Sequence, residues 1–362
     1  MKTIIVAGGA GFIGANFVRT AFARREWRVI VFDKLTYAGS RLNLREVENS
    51  PQYTFLLGDI TDRQAVRSAI EQVRPDAIVN FAAETHVDRS IDGPRGFLET
   101  NVLGTFEMLD AARAHWERLD LSRRASFRFL HVSTDEVYGS LADGCASTEE
   151  APYAPNSPYA ASKASADHFV RAYHETYGLP VLTTNCSNNY GYYQYPEKLI
   201  PLVVASATAG KPIPVYGDGL NVRDWIFVED HCDALIAVLE RGHVGGKYNI
   251  GANSECTNLV LINRLCAILD ELSPASRNPA LASRGIARHA DLITFVRDRP
   301  GHDRRYALDC SLIQRELGWM ARTNLAEGLH ATVRWYLANR EWCEAVQRGN
   351  YAGERLGLAA GA

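Results

Sequence analysis

Through the first half of the chain, short apolar runs alternate with segments of helical periodicity. Ile4 to Ala7, Arg28 to Phe32, Tyr53 to Gly58, Ala77 to Ala82, Phe127 to Ser133 and Val181 to Asn185 read as strands. Between them, Phe12 to Arg24, Thr61 to Val73, a long stretch from Pro94 to Trp116, and Tyr159 to Tyr177 read as helices. Thr61 is placed to cap its helix. Gly178, with Pro180 beyond it, is placed to stop the Tyr159 helix. Strands alternating with helices predict an α/β fold built on a doubly wound parallel sheet, covered on both faces.

Beyond residue 190 the pattern changes. Pro, Gly, Tyr and Trp crowd into loops, and Pro196 to Ala209, Val228 to Glu240 and Leu259 to Glu271 read as helices. Tyr248 to Gly251 reads as a strand returning to the main sheet. The expected division is a first domain over residues 1–190, with segments around 225–255 returning to it, and a smaller C-terminal α/β lobe over residues 191–340. Ser273 to His289 is polar and is expected to be a loop or mobile insertion, and residues 344–362 a disordered tail.

Composition narrows the partners. A chain of 362 residues exceeds the usual single-domain size. A formal net charge of −3 gives no reason to expect nucleic acid. No apolar run is long enough to span a bilayer, so no membrane partner is expected. The 7 cysteines are scattered without a C-x-x-C pair, which argues against a disulfide framework and against a metal site. The chain opens directly on Lys2 to Val6 with no charged leader, so a cytoplasmic protein is expected.

Gly8, Gly11 and Gly14 fall between the first strand and the first helix at the spacing G-x-x-G-x-x-G. Such glycines permit a tight turn and let backbone approach a pyrophosphate, while the helix N-terminus offers N–H groups to it. Asp33 ends the second strand, where a carboxylate binds ribose hydroxyls and repels a 2′-phosphate. NAD is therefore favoured over NADP, although Lys34 follows immediately. Asp59-Ile60 is expected to flank the adenine and Phe81-Ala82-Ala83 to pass beneath the cofactor. The first domain is thus expected to be Rossmann-type.

Tyr159 and Lys163 lie four apart in a predicted helix and share a face. A phenol is a poor base at neutral pH, and an adjacent ammonium is expected to lower its pKa. That pair suits alcohol oxidation by a nicotinamide. Thr134-Asp135-Glu136, where the fifth strand runs out, adds an acid and a base that simple oxidation does not require. One adjacent carboxyl must keep its proton to assist a poor leaving group; the residues alone leave open which one.

These residues resemble the extended short-chain dehydrogenase/reductase family. Within it, Ala82 to Ile91, Ser187 to Gly191, Arg299 to Asp303, Asp33 to Gly39 and Pro196 to Pro201 are similar to the dTDP-glucose 4,6-dehydratases, from residue 1 to about 340. The resemblance implies that Tyr159 takes the proton of the glucose 4-hydroxyl, Glu136 acts as base at C5, Asp135 as acid toward the 6-hydroxyl, and Thr134 binds the 4-hydroxyl. It implies bound NAD contacted by Phe12, Ile13, Leu35, Thr36, Thr100 and Asn189. It assigns Thr85, Asn188, Lys198, Leu199, Pro214, Val215, Tyr216, Arg223, Asn258, Asp298, Arg299, Pro300, Gly301 and His302 to a dTDP-glucose substrate. A homodimer built on the Pro94 and Tyr159 helices is also implied. His86 is expected to be structural.

Thr85 stands where the family has Ser, Tyr192 where it has Pro, and the stretch from Ser276 to His289 is longer than usual. A nucleotide-sugar 4-epimerase would share the glycines, Tyr159 and Lys163 without needing Asp135 and Glu136. A non-catalytic dinucleotide sensor would need none of the four reactive side chains.

Overall fold

The computed structural model describes residues 1–24 and 27–348. Seven strands form one parallel sheet: β1 (Lys2–Ala7), β2 (Trp27–Asp33), β3 (Tyr53–Leu57), β4 (Ala77–Asn80), β5 (Arg128–Thr134), β6 (Val181–Cys186) and Lys247–Ile250 at the far edge. Three further strands lie between β6 and that edge strand in sequence: β7 (Asn188–Tyr190), β8 (Ile213–Tyr216) and β9 (Val222–Phe227). The edge strand is thus β10, and β11 (Glu255–Thr257) and β12 (Ile293–Val296) follow it. The order β10-β6-β5-β4-β1-β2-β3 reverses direction between β1 and β4, the switch point where such sheets bind ligands beyond their carboxyl ends.

The burial of the strands explains the layers. β6 is buried at every position and β1 along its last four, so each strand needs cover on two sides. The Phe12–Arg24 and Val228–Arg241 helices seal one face, with Phe17, Val18, Leu235 and Val238 in the core. Helices Arg63–Val73, Thr105–Glu117 and Pro158–Tyr177 seal the other through Ile70, Met108, Leu109 and Val170.

A second core gathers helices Leu199–Thr208, Asn258–Leu272 and Leu325–Ala338 against two small sheets, β11-β9-β7 and β12-β8. Residues 273–289, expected to be a loop, instead form short helical turns with fixed anchors. Leu281 is buried in this core, Asn278 donates to the Thr208 carbonyl (2.8 Å), and His289 meets Asp270 at 2.5 Å. Tyr192 packs edge-on against Phe227, ring centroids 5.5 Å apart, filling with an aromatic contact the place expected for Pro. Of the expected tail, residues 344–347 belong to a helix, Arg340–Gln347, and residues 349–362 lie outside the described residues.

Two helix ends differ from expectation. The Thr61 helix begins at Arg63 because Asp62 caps it, its carboxylate accepting the N–H groups of Gln64 and Ala65. The Pro94 helix is not continuous: Pro94–Phe97 passes into a wide π turn, Leu98–Gly104, before Thr105–Glu117. Within the π turn, Asn101 holds the Glu84 backbone at both N–H (2.8 Å) and carbonyl (3.0 Å) and donates to Ser162 (2.8 Å). These bonds tie the Glu84 loop to the Pro158 helix, and such widened turns recur beside functional sites.

Candidate active site

The carboxyl ends of β1, β2, β4, β5 and β6 open into a cleft. Gly8 leaves β1 at φ +74°, and a Cβ there would stand 2.5 Å from the Ala82 nitrogen. A Cβ on Gly14 would stand 2.3 Å from the Gly8 carbonyl oxygen. The glycine loop and the start of the β4 loop therefore approach backbone to backbone, leaving the helix N-terminus bare. Gly14→Ala is expected to weaken NAD binding by at least about tenfold, measured by calorimetric titration, because the loop must shift to admit the methyl. Unchanged affinity would place the cofactor elsewhere.

Asp33 is held by the N–H groups of Ala10 (2.9 Å) and Leu35 (2.8 Å), and burial nevertheless raises its carboxyl above the usual range. Lys34 also lines the cleft, where its ammonium meets Asp59 (3.4 Å) and the Thr100 hydroxyl (3.4 Å), so part of its charge is offset within the protein. Burial alone would raise Asp59, but hydrogen bonds from Thr61 and the neighbouring Lys34 outweigh it and hold the carboxyl low. Every residue expected at the cofactor lines this cleft except Leu35. Leu35, at φ 55°, packs its side chain on the main core. A cradle without Cβ atoms and an anchored carboxylate at the ribose position fit a dinucleotide.

The reactive residues converge on the same cleft. Thr134 ends β5, accepts the Glu136 N–H (3.3 Å) and donates to the Asp135 carboxylate (3.2 Å). Burial, and next the charge of Glu136, push Asp135 well above the usual carboxylate range, and its Oδ2 is buried without a partner. Burial raises Glu136 too, but Arg299, Arg223 and Lys198 oppose the shift. The carboxyl pair is therefore split in degree: Asp135 is raised further than Glu136, whose cationic neighbours Arg299, Arg223 and Lys198 favour its ionised form.

Tyr159 lines the cleft, with its phenol hydrogen-bonded to Thr134. Burial, and then Glu136, raise it well above its ordinary value. The expectation that Lys163 lowers it is not met in the protein alone. The Lys163 ammonium instead donates to the Val132 carbonyl (2.8 Å) and lies 3.4 Å from His131 Nε2. Burial drives His131 down to about 4, which makes it neutral beside that ammonium. Behind it, Asp167 accepts from Ser133 (2.9 Å), Tyr153 (2.8 Å) and Asn185 (3.2 Å). His86 is pushed down to about 2 by burial and by the cations Lys198, Arg89 and Arg299, so its ring is neutral.

The family described as GDP-mannose 4,6 dehydratase matches residues 5–332. The dTDP-glucose 4,6-dehydratase of Xanthomonas campestris pv. campestris (strain B100) is 53% identical over 357 residues, 99% of each chain. The chain belongs to the dTDP-glucose 4,6-dehydratase family. The Streptomyces venezuelae dTDP-glucose 4,6-dehydratase DesIV, solved with NAD bound, is 46% identical with a TM-score of 0.83, covering 95% of this chain and 99% of that one. The UDP-glucose 4-epimerase of Thermus thermophilus superposes with a TM-score of 0.78 over 93% of this chain and 99% of its own, but at 27% identity. The scaffold is common to both, and the higher identity favours the dehydratases over the epimerase alternative.

Of the residues that the family assigns to sugar nucleotide, Thr85, Thr134, Asn188 and Lys198 line the cleft. Lys198 donates to the Thr85 carbonyl (2.9 Å), and Asn188 Oδ1 is buried with no partner. The others do not line it. Arg223 donates to the Asp303 carbonyl (2.9 Å) and lies 4.3 Å above the Tyr306 ring. Arg299 (2.8 Å) and Tyr216 (3.1 Å) both bond Asp88, and Asp298 meets His302 at 2.6 Å. Asn258 opens its helix with an unpartnered Oδ1, Leu199 opens another, and Pro214 lies in β8. Val215 is buried in the second core, so its side chain is committed to packing, whereas Pro300 and Gly301 are exposed.

Ser187, Gln194, Tyr195 and Glu197 also line the cleft, and the sequence did not single them out. Ser187 and Glu197 fall inside motifs already noted, so position was a usable signal. Gln194 and Tyr195 follow the left-handed Tyr193 (φ 66°), a turn that periodicity does not reveal.

Proposed function

We propose that this chain is an NAD-dependent hydro-lyase that converts dTDP-glucose into dTDP-4-keto-6-deoxyglucose. The observation that carries this reading is the split pair Asp135 and Glu136, set beside Tyr159 at the carboxyl ends of the sheet. An epimerase needs no such pair. NAD, held by the glycine loop, Asp33 and the β4 loop, supplies the electron-pair acceptor for the first step and the donor for the last.

Tyr159 takes the proton of the 4-hydroxyl as C4 is oxidised, with Thr134 orienting that hydroxyl. The ketone acidifies the C5 hydrogen, and ionised Glu136 removes it. Asp135 gives its retained proton to the departing 6-hydroxyl, and water leaves. A proton returns to C5 as C6 is reduced. Arg223 and Arg299, charges already coupled to Glu136, serve the nucleotide diphosphate, and the lobe over residues 191–340 closes the substrate side. The thymidine base rests on likeness to the relatives.

Incubation with dTDP-glucose in deuterated water is expected to yield a product lighter by one water and labelled at C5. A panel of uridine, cytidine and thymidine diphosphate glucoses reads the base preference in the same assay. A clean C4 epimer without label would overturn the reading.

We also infer a homodimer. Leu98, Leu103, Phe169 and Tyr177 expose large apolar side chains on the Pro94–Glu117 segment and the Pro158–Tyr177 helix, and Phe106 joins the two through Phe169 at 6.2 Å. A second copy of this chain packing there would cover them. All 7 cysteines are free, which supports a reducing, cytoplasmic setting, and among the described residues no helix is long and apolar enough to cross a membrane.

A further inference from the structure

The helix Arg340–Gln347 begins beyond residue 332, where the family match ends. It is nevertheless tied to the cofactor loop. The Trp342 indole N–H donates to Asn43 Oδ1 (2.9 Å), and Asn43 Nδ2 donates to the Ala10 carbonyl (2.8 Å). That carbonyl also accepts the Ser40 N–H (3.0 Å), while the Ala10 N–H donates to Asp33 (2.9 Å). The Ala10 peptide sits between Gly9 and Gly11 and is thus clamped on both sides. Its orientation governs where the neighbouring N–H groups of the glycine loop point.

Asn43 is only 1% exposed, so its amide has no water to replace a lost partner. The same helix reaches the cleft wall by a second route. Val346 and Trp342 pack with Tyr195, Tyr37 and Ala38, of which Ala38 and Tyr195 line the cleft.

We propose that Trp342 and Asn43 are cofactor-positioning residues, bracing the glycine loop so that NAD stays bound throughout a turnover. This rests on the dehydratase reading, which supplies the need. Between oxidation at C4 and reduction at C6 the electron pair resides on the cofactor, and its escape would strand the sugar as an unreduced ketone. Slow dissociation is therefore a requirement of the reaction rather than a by-product of affinity.

Two variants of the full-length protein test the brace, without any sugar nucleotide present. Trp342→Phe keeps a ring in place but removes the donor to a buried oxygen; NAD dissociation, followed by displacement in a stopped-flow instrument, is expected to quicken about 3- to 10-fold. Trp342→Leu also loses the ring packing and is expected to quicken it further. Because coupling between two sites is reciprocal, NAD must in turn slow amide hydrogen exchange over residues 340–347 of the unmodified protein. That readout does not depend on any variant folding.

Unchanged NAD dissociation in Trp342→Phe, or exchange over residues 340–347 indifferent to NAD, would overturn the proposal. A protein that releases NAD as expected yet fails to turn over any glucose nucleotide would instead sink only the dehydratase reading.

Discussion

Tyr159→Phe is expected to slow the first oxidation by about a thousandfold, so that mixing the variant with dTDP-glucose produces almost no reduced nicotinamide. The phenol is only 8% exposed, and its hydrogen-bonding neighbour within the reactive cluster is the Thr134 hydroxyl. Burial and the charge of Glu136 both disfavour its phenolate in the protein alone, and Lys163 spends its strongest hydrogen bond on the Val132 carbonyl. On the proposed mechanism, Tyr159 must therefore gain its basicity when cofactor and substrate are bound. A phenyl ring fills the same space beside Phe97, with which Tyr159 makes an edge contact at 6.3 Å, so the fold should tolerate the change. Single-turnover absorbance of reduced nicotinamide is the measurement. Rapid formation in the variant would remove Tyr159 from the role of base.

The legible part of this protein was what local chemistry dictates. Apolar runs too short for helices announced the six strands from β1 to β6, and a glycine spacing announced a turn that admits no Cβ at Gly8 or Gly14. Asp33 was readable because the end of β2 is fixed by topology, and topology follows from strand alternation. What was not readable depended on contacts made across the fold. The π turn at Leu98–Gly104 carries Asn101, whose side chain bonds Glu84 and Ser162, residues distant in sequence. Periodicity sees only an apolar helix there.

The direction of Lys34 likewise depends on Asp59 from the end of β3, and the commitment of Val215 to packing on a core assembled from three helices. The roles of the two carboxyls were open in the sequence for the same reason. Asp135 and Glu136 are neighbours with the same carboxyl chemistry; Arg223 acts on both, and Arg299 and Lys198, drawn from two other segments, act on Glu136. Residues 344–362 read as a tail because the sequence ends in Gly and Ala, yet residues 344–347 complete the Arg340–Gln347 helix and Val346 is buried against Tyr195, a contact local composition does not announce; residues 349–362 lie outside the described residues.

Glu136→Gln is expected to leave oxidation at C4 largely intact while cutting exchange of the C5 hydrogen by about 10²- to 10⁴-fold. An amide of the same shape cannot accept the proton, so the electrons taken from C4 have no route to C6 and reduced nicotinamide accumulates in place of product. The unmodified enzyme gives the matching pH signature. Burial raises the Glu136 carboxyl, so C5 exchange rises as pH climbs through that raised value and the base ionises. Asp135 is raised further still, so elimination falls only at higher pH, where the acid has lost its proton. The two limbs belong to the coupled pair.

In the glutamine variant the limb due to base ionisation should vanish. Asp135 should also become more acidic, since one of the charges that forced its proton to stay is gone, leaving burial to hold it. Exchange at C5 measured by deuterium uptake, beside the absorbance of accumulated reduced nicotinamide, separates the two effects. Normal C5 exchange in this variant would mean that another group is the base, and the assignment of acid and base to this carboxyl pair would fall with it.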